Sequence, residues 1–279
     1  MTLRCIALDL DRTTLGPDGR LSTGNREALE RAVRHGIHVV IASGRPLCSL
    51  PAEVTALPGI EYAITSNGAA VYHLPTGKRL RGFTLPPAAA EEILRLTADE
   101  PLTYEAFVDG IAYGGADYVA DPVAYGTPPT SVGYIQRTRR PVPDIIAFIR
   151  SHSHELDSVD LVVRSAEEKN RLSALLMESV PDLYVTSSVP QLVEISHRDA
   201  GKHSGLRFIT NLLGISPAQT AAFGDGDNDA DMLAFAGCGI AVSNASPACL
   251  AAADRITGHF SEDGVAQAIH RLLDELSEQ

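Results

Sequence analysis

The chain has 279 residues, of which 44% are hydrophobic, and a formal net charge of −12 at pH 7. This length and composition allow one large core, or a core with a satellite, and they exclude disorder on a large scale. The acidic balance argues against nucleic acid or an anionic membrane as a partner, because both are bound through clustered Lys and Arg. A phosphorylated small molecule is still possible where a metal ion and a few cations are concentrated.

Cysteine spacing and hydropathy indicate where the protein works. The cysteines Cys5, Cys48, Cys238 and Cys249 show no paired spacing, so we expect reduced thiols. The N-terminus lacks the pattern of a signal peptide, and no window has 18 uninterrupted apolar residues. We therefore expect a soluble, cytoplasmic protein.

The first 70 residues alternate short apolar runs with amphipathic segments of helical length. We predict strands at 3–8, 37–42 and 62–65 and helices at 23–34 and 46–56. Ser22 is the expected N-cap and Gly36 the expected stop of the first helix, and residues 16–19 predict a tight turn in a small hairpin. This alternation is typical of a parallel α/β sheet.

The last 90 residues repeat the same alternation. We predict strands at 192–195, 220–223 and 239–242, helices at 202–213 and 229–236, and a further helix that begins at Ser246 and Pro247. We expect both ends of the chain to form one sheet, in a catalytic core made of residues 1–82 and 187–279.

The middle of the chain, residues 83–186, differs from both ends in composition and in the pattern of predicted elements. A stretch rich in Gly, Pro and Tyr precedes a predicted strand at 159–164, a helix at 167–179 and a strand at 183–186. Ser165, with Glu168 three residues later, has the pattern of a capping box. We predict an α+β domain inserted into the core.

Two acidic segments follow predicted strands. Asp9 and Asp11 end the first strand, and if strand geometry persists both carboxylates point the same way. The segment Gly224–Asp229 follows the strand at 220–223, at the same sheet edge if the strands are parallel. Crowded carboxylates repel one another, and a hard divalent cation with oxygen ligands relieves the repulsion, so we expect Mg²⁺ here.

Plainer interpretations of these segments are solvated aspartates at a strand end or in an acidic loop. A calcium loop is a further alternative for Asp225, Asp227 and Asp229. It fails because Ala230 stands where the loop needs glycine and Ala236 where it needs glutamate.

Candidate phosphate ligands lie near two helix starts. The Ser43 hydroxyl and the backbone amides around Gly44 could receive a phosphate oxygen, and Lys202 could neutralise a transferring phosphoryl group. A nucleotide P-loop is excluded, because its first glycine would be Ser196 and its Ser or Thr would be His203. The nine histidines form no metal-ligand spacing, and no zinc site or Ser-His-Asp triad can be assembled.

The order of these motifs resembles the haloacid dehalogenase (HAD) superfamily of aspartyl-phosphate enzymes, specifically its Cof-like sugar-phosphatase branch. The similarity covers nearly the whole chain and rests on six stretches: Asp9 to Thr13, Ser43 within residues 42–45, Ser66 to Ala69, Lys202, Gly224–Asp229, and Gly239 to Ala245. It implies a Rossmann-like core with a mostly parallel sheet, and an inserted cap domain that selects the substrate.

The resemblance also implies roles for single residues. Asp9 would be the nucleophile, and Asp11 the general acid that then activates water. Ser43, Gly44, Lys202 and Asn228 would hold the phosphate. Mg²⁺ would be held by Asp9, by Asp11 through its carbonyl, by Asp225, and by Asp229 through water or Lys202.

Two residues depart from the pattern of the branch: Arg12 stands where the first motif usually has glycine, and Thr14 where it usually has leucine. Arg12 could contact the cap or an anionic part of the substrate, or it could face solvent. We expect Arg12→Gly to change substrate preference more than turnover.

The sequence thus predicts a Mg²⁺-dependent phosphatase for a small phosphorylated metabolite, a sugar phosphate or a similar compound. A phosphomutase that uses the same aspartyl-phosphate and a non-catalytic metabolite-binding regulator are the alternatives. The substrate, the cap residues that select it and the oligomeric state are not predicted.

Overall fold

The computed structural model describes residues 2–277, which form two compact units. The first unit comprises the chain up to Gly44, Leu50–Arg81, and the chain from Gly201 onward. The second unit comprises Arg45–Ser49 and Gly82–Ala200.

The strands of the described chain, in order, are β1 Cys5–Leu8, β2 His38–Ala42, β3 Ile60–Thr65, β4 Ala70–His73, β5 Lys78–Gly82, β6 Thr103–Val108, β7 Ile111–Gly115, β8 Arg139–Val142, β9 Leu156–Val162, β10 Leu183–Thr186, β11 Leu192–His197, β12 Thr220–Gly224, β13 Cys238–Val242 and β14 Arg255–Thr257. The α-helices are α1 Thr23–Arg34, α2 Ala52–Thr55, α3 Pro87–Leu96, α4 Ala116–Ala120, α5 Val132–Thr138, α6 Ile145–Ser151, α7 Ala166–Ser179, α8 Lys202–Leu213, α9 Ala230–Phe235, α10 Pro247–Ala252 and α11 Gly264–Ser277. None of the helices within residues 2–277 combines the length and the apolar character that crossing a membrane requires.

The first unit is built on an eight-stranded sheet in the order β14-β13-β12-β1-β2-β3-β4-β5. From β14 to β3 neighbouring strands are parallel, and β4 pairs antiparallel to β3. The central strands read as continuous apolar runs because both faces of the sheet are covered. The predicted α/β core with a mostly parallel sheet is confirmed.

Alternate residues of β1 enter two different hydrophobic clusters, one on each face of the sheet. Ile6 and Leu8 lie in a cluster that includes residues of α1 and α11. Cys5 and Ala7 lie in a second cluster with residues of α8 and α9. This alternation follows from the two-residue period of a strand, and it anchors the end of β1 on both sides.

The predicted start and stop of α1 are confirmed. The Ser22 hydroxyl accepts the Asn25 backbone N–H at 3.0 Å, and Gly36 follows the helix in a left-handed conformation. The predicted hairpin is also present: the Gly16 N–H donates to the Arg20 carbonyl at 2.8 Å, and a β-bridge joins the residues that flank the turn, Leu15 and Leu21.

The predicted helix at 46–56 is wrong. A single 3₁₀ turn covers Leu47–Ser49 and the short α2 covers Ala52–Thr55, with Pro51 between them. Proline lacks a backbone N–H and restricts the residue before it, so a continuous helix cannot pass this point. Residues Arg45–Ser49 belong to the second unit.

The second unit contains a six-stranded, mostly antiparallel sheet in the order β10-β11-β9-β6-β7-β8. Residues of α3, α6 and α7 pack with its strands in one hydrophobic cluster. The Ser165 hydroxyl caps α7 by accepting the Glu168 N–H at 3.1 Å. The reciprocal bond of the predicted capping box is displaced by one residue, because Glu168 accepts the N–H of Arg164 instead.

The strand predicted at 192–195 does not belong to the core sheet. It is β11, which pairs antiparallel with β10 and with β9, and its apolar residues Val193 and Ile195 lie in the core of the second unit. The second unit therefore continues to Ala200, beyond the predicted boundary at residue 186.

One face of the second sheet buries three carboxyl groups side by side. Asp160 on β9 pairs in register with Glu105 on one side and Glu194 on the other. Glu105 accepts hydrogen bonds from Arg139 at 2.6 Å and from the Tyr118 hydroxyl at 2.8 Å. Burial first, and then the charges of Glu194 and Glu105, raise the pKa of Asp160 well above its ordinary value, although Arg139 opposes them.

Candidate active site

The candidate site lies at the carboxyl ends of three neighbouring parallel strands of the first unit. Asp9 follows β1, Ser43 follows β2 and Asp225 follows β12. The Asp9 N–H donates to the Phe223 carbonyl at 3.0 Å, which continues the β1–β12 pairing up to the site. This is the edge at which ligands bind open parallel sheets.

Asp9 is buried, and its backbone is fixed by the wide helical turn Leu10–Thr14 that follows it. Within this turn the Thr14 hydroxyl donates to the Asp9 carbonyl at 2.6 Å. The turn begins two residues after β1 ends at Leu8, and within it Asp11 keeps an extended backbone with a φ of −72° and a ψ of 124°. Asp11 is exposed, whereas Asp9 is buried, and the convergence of the two carboxylates on one spot stays a prediction.

Lys202 is buried between two carboxylates. Its Nζ lies 2.7 Å from Asp9 Oδ1 and 2.6 Å from Asp229 Oδ1, and its side chain is 1% exposed. Burial opposes its charge, but Asp229 and Asp9 outweigh burial and raise the pKa of Lys202. The ammonium therefore stays charged and links two segments of the site.

The pKa of Asp9 is also shifted. Burial raises it well above the ordinary range, Lys202 lowers it, and the charges of Asp229, Asp225 and Asp11 raise it further. A single lysine thus does not neutralise this group of carboxylates. A further cation would keep Asp9 ionised.

The loop after β12 is fixed by Asp229. Its Oδ2 accepts the backbone N–H groups of Asp225 at 3.0 Å and Gly226 at 2.9 Å. At Gly224 a side chain would not fit, since a Cβ there would lie 2.4 Å from Asp229 Cβ. Burial and the charge of Asp229 raise the pKa of Asp225 to about 6, and Thr13 donates to Asp225 Oδ1 at 3.3 Å.

Asp9, Asp225 and Asp229 form a group that could hold a divalent cation. One carboxylate oxygen of each lies within 4.8 Å of the others, and all three side chains are buried. Hard cations such as Mg²⁺ take carboxylate oxygens as ligands, so the donor set fits. Asp227 is exposed and accepts a hydrogen bond from the Ser246 hydroxyl at 2.6 Å, so its side chain is outside this group. A calcium loop would need Asp227 as a ligand together with Asp225 and Asp229.

Ser43 and Asn228 are connected through a residue to which the sequence assigned no role. The Ser43 carbonyl accepts the Asn67 N–H at 3.2 Å, and the Asn67 side chain accepts the Asn228 amide at 2.9 Å. Ser43 and Asn228 are both buried, and Gly44 follows Ser43 at the same strand end. The sequence showed that Asn67 follows a predicted strand, but it could not show the contacts of Asn67, because the residues it contacts are distant in sequence.

Arg12 is half exposed and pairs with the candidate metal group. Its Nε lies 3.6 Å from Asp225 Oδ2, and its backbone has a left-handed φ of 59°. The left-handed backbone explains why glycine is common at this place in the branch, because only glycine adopts it without steric cost. The contact with Asp225 was not predicted.

Comparison with known proteins identifies the class and the family of this protein. The chain belongs to the haloacid dehalogenase-like hydrolases, whose family pattern it matches over residues 6–269. It is a phosphoric monoester hydrolase.

Several relatives match over nearly their whole length. Phosphatase YwpJ of Bacillus subtilis is 30% identical over 97% of this chain and 100% of its own. The pyridoxal phosphate phosphatase YbhA of Escherichia coli is 27% identical over 98% of this chain and 100% of its own, and the HMP-PP phosphatase of Cronobacter sakazakii is 28% identical over 96% and 95%. A solved haloacid dehalogenase-like hydrolase from B. subtilis superposes with a TM-score of 0.83 at 26% identity, over 97% of this chain and all of that one.

Proposed function

We propose that this protein is a Mg²⁺-dependent phosphatase that hydrolyses a small phosphorylated metabolite through a phosphoryl-aspartate on Asp9. The observation that carries the proposal is the buried group of Asp9, Asp225 and Asp229 with the charged Lys202 among them. Excess negative charge in a buried site favours the binding of a cation, and the cation can then bind a phosphate.

The contacts of each carboxylate support a division of work in holding the metal. The Asp225 carboxylate has long contacts, from the Thr13 hydroxyl at 3.3 Å and from Arg12 Nε at 3.6 Å, so its oxygens can turn to a cation. Asp229 already accepts Lys202 and two backbone N–H groups, which favours support through water over direct ligation. Asp9, Asp225 and the Asp11 carbonyl would be the direct ligands. When bound, Mg²⁺ would withdraw charge from the phosphoryl oxygens and would counter the repulsion among the carboxylates.

The first half of the reaction uses Asp9 and Asp11. A carboxylate oxygen of Asp9 attacks phosphorus, the bond from phosphorus to the ester oxygen breaks, and Asp11 gives its proton to the departing oxygen. Lys202 holds Asp9 Oδ1 and thereby orients the carboxylate. The exposure of Asp11 suits a group that must reach the leaving oxygen of a substrate.

The second half regenerates the enzyme. Asp11, now ionised, takes a proton from water as the water oxygen attacks phosphorus, and the bond between phosphorus and Asp9 breaks to release inorganic phosphate. The Ser43 hydroxyl, the amide of Gly44, Lys202 and Asn228 bind the phosphoryl oxygens through both steps. Neutralisation of the transferring group by positioned donors is the main source of rate in such reactions.

The relatives support the substrate class. Two of them are named for the hydrolysis of HMP-PP and of pyridoxal phosphate, both small phosphorylated compounds. A sugar phosphate or similar metabolite is the proposed substrate here. The second unit, Gly82–Ala200 with Arg45–Ser49, is proposed to be the cap that selects it.

A panel of phosphorylated metabolites, assayed for released phosphate with Mg²⁺ and with a chelator, tests the proposal. We expect hydrolysis of at least one small monoester that depends on Mg²⁺ and is abolished in Asp9→Asn. Activity retained in that variant would refute Asp9 as the nucleophile. A sugar bisphosphate that yields a rearranged monophosphate without free phosphate would instead identify a phosphomutase.

A further inference from the structure

The turn that follows β3 holds three successive residues in the left-handed region. Ser66, Asn67 and Gly68 have φ values of 47°, 50° and 88°. A Cβ at Gly68 would lie 2.1 Å from the Gly201 carbonyl oxygen, so the two backbones are in close contact. Residues other than glycine rarely adopt this conformation in succession, and it persists only where surrounding contacts hold it.

Asn67, at the centre of this turn, contacts three separate segments of the site. Its backbone N–H donates to the Ser43 carbonyl at 3.2 Å, and its carbonyl accepts the Gly201 N–H at 2.7 Å, directly before Lys202. Its side-chain oxygen accepts the Asn228 amide at 2.9 Å. These segments carry three of the proposed phosphate-binding side chains.

The third contact determines the orientation of the Asn228 amide. Asn228 is 2% exposed, and its Oδ1 has no hydrogen-bond partner within residues 2–277. Over that part of the chain, the bond to Asn67 is the one side-chain hydrogen bond that the structure shows for Asn228. An amide nitrogen carries two hydrogens, so the second remains available to an anion.

We propose that Asn67 is a positioning residue for phosphate binding: it holds the Asn228 amide so that the second N–H donates to a phosphoryl oxygen, and it ties the segments of Ser43 and Lys202 to the same turn. This inference rests on the proposed phosphatase function. This role of Asn67 depends on its left-handed backbone, because an extended residue at this position could not make all three contacts at once.

Asn67→Gly tests the side-chain part of the proposal. Glycine adopts the left-handed backbone without steric cost, so the variant keeps the turn and removes only the acceptor for Asn228. Loss of one hydrogen bond of ordinary strength predicts that KM for the phosphate ester, and the Kd for inorganic phosphate with Mg²⁺, rise about 3–10-fold. The concentration of Mg²⁺ for half-maximal activity should not change.

A double-mutant cycle separates positioning from a general structural role. Phosphate affinity should fall in Asn67→Gly and in Asn228→Ala, and adding Asn67→Gly to Asn228→Ala should cause no further loss. Asp182→Gly is the matched control, since Asp182 is left-handed with a φ of 67° and belongs to none of the segments that carry the proposed phosphate-binding residues. That control should bind phosphate as the unaltered protein does.

The proposal is overturned if Asn67→Gly binds phosphate as the unaltered protein does, or if the two losses multiply in the double variant. Calorimetric binding of inorganic phosphate in the presence of Mg²⁺ needs no turnover. An unaltered protein that binds phosphate but hydrolyses no ester would therefore count against the proposed function, while the same binding cycle would still decide the role of Asn67. If Asn67→Gly unfolds at a lower temperature, binding measured below both unfolding midpoints gives the same comparison.

Discussion

Replacement of Lys202 by methionine should reduce both stability and activity, because the lysine is held between two buried carboxylates. Methionine keeps most of the aliphatic volume and removes the contacts of 2.7 Å to Asp9 and 2.6 Å to Asp229. Removing one partner of a buried ion pair leaves an uncompensated charge and costs about 3–5 kcal/mol of unfolding free energy. For a protein of this size, that loss lowers the unfolding midpoint by about 6–20 °C.

Activity should fall for a related reason. Without the lysine, the pKa of Asp9 rises further above its ordinary value, which disfavours the ionised form that the nucleophile needs. Loss of one donor to the transferring group also lowers kcat, by about 10²–10³-fold. Steady-state kinetics on a responsive ester and thermal unfolding with and without Mg²⁺ measure both effects.

The effect of Mg²⁺ on this variant is the most specific part of the prediction. A bound cation replaces some of the missing positive charge, so Mg²⁺ should raise the midpoint of Lys202→Met by more than it raises that of the unaltered protein. Lys78→Met is the control, since Lys78 is exposed on β5 in the same unit. A kcat within tenfold of the unaltered protein, or an unchanged midpoint, would refute the reasoning.

Two other predictions follow from Arg12 and Asp160. Arg12→Gly relieves a left-handed backbone and removes a half-exposed cation that competes with the metal for Asp225. The Mg²⁺ concentration for half-maximal activity should therefore fall about 2–5-fold, the range for exposed ion pairs. Arg12→Lys keeps the charge and should show no such fall, and equal metal titrations for all three proteins would contradict this prediction. Because burial, Glu194 and Glu105 raise the pKa of Asp160, the folded protein retains a proton that the unfolded chain releases above its ordinary pKa of about 3.9, and this residue's contribution to stability is lost as pH rises toward the raised value. Asp160→Asn should therefore gain stability relative to the unaltered protein as the pH rises above the ordinary pKa of about 3.9, as measured by urea unfolding at each pH, and a difference that does not vary with pH would contradict the burial of an acid here.

Local patterns predicted five of the eight strands of the core sheet, β1, β2, β3, β12 and β13, and the sheet edge at which the candidate site lies. The apolar runs before Asp9 and Asp225 became the neighbouring strands β1 and β12, and parallel pairing brought both carboxylates to one edge. Lys202 was predicted as a phosphate ligand, but its position between Asp9 and Asp229 required the structure. A periodic pattern predicts a strand or helix and the residue at which it ends. The distance between side chains at the ends of two strands depends on the register of the sheet.

The helix predicted at 46–56 was wrong because of Pro51, a local feature, but two other misses came from interactions that no short window contains. The strand β11 has the same apolar pattern as a core strand, and only its pairing with β9 and β10 assigns it to the second unit. The contact between Asn67 and Asn228 joins residues 161 positions apart.

Trapping the phosphorylated enzyme tests the central claim most directly. The protein is mixed with a responsive ester and Mg²⁺, quenched in acid, digested, and examined by mass spectrometry for a peptide that carries one phosphoryl group. The account predicts that group on Asp9, in an amount that rises with substrate and is absent in Asp9→Asn. A phosphoryl group on any other residue, or steady hydrolysis by Asp9→Asn, would contradict it.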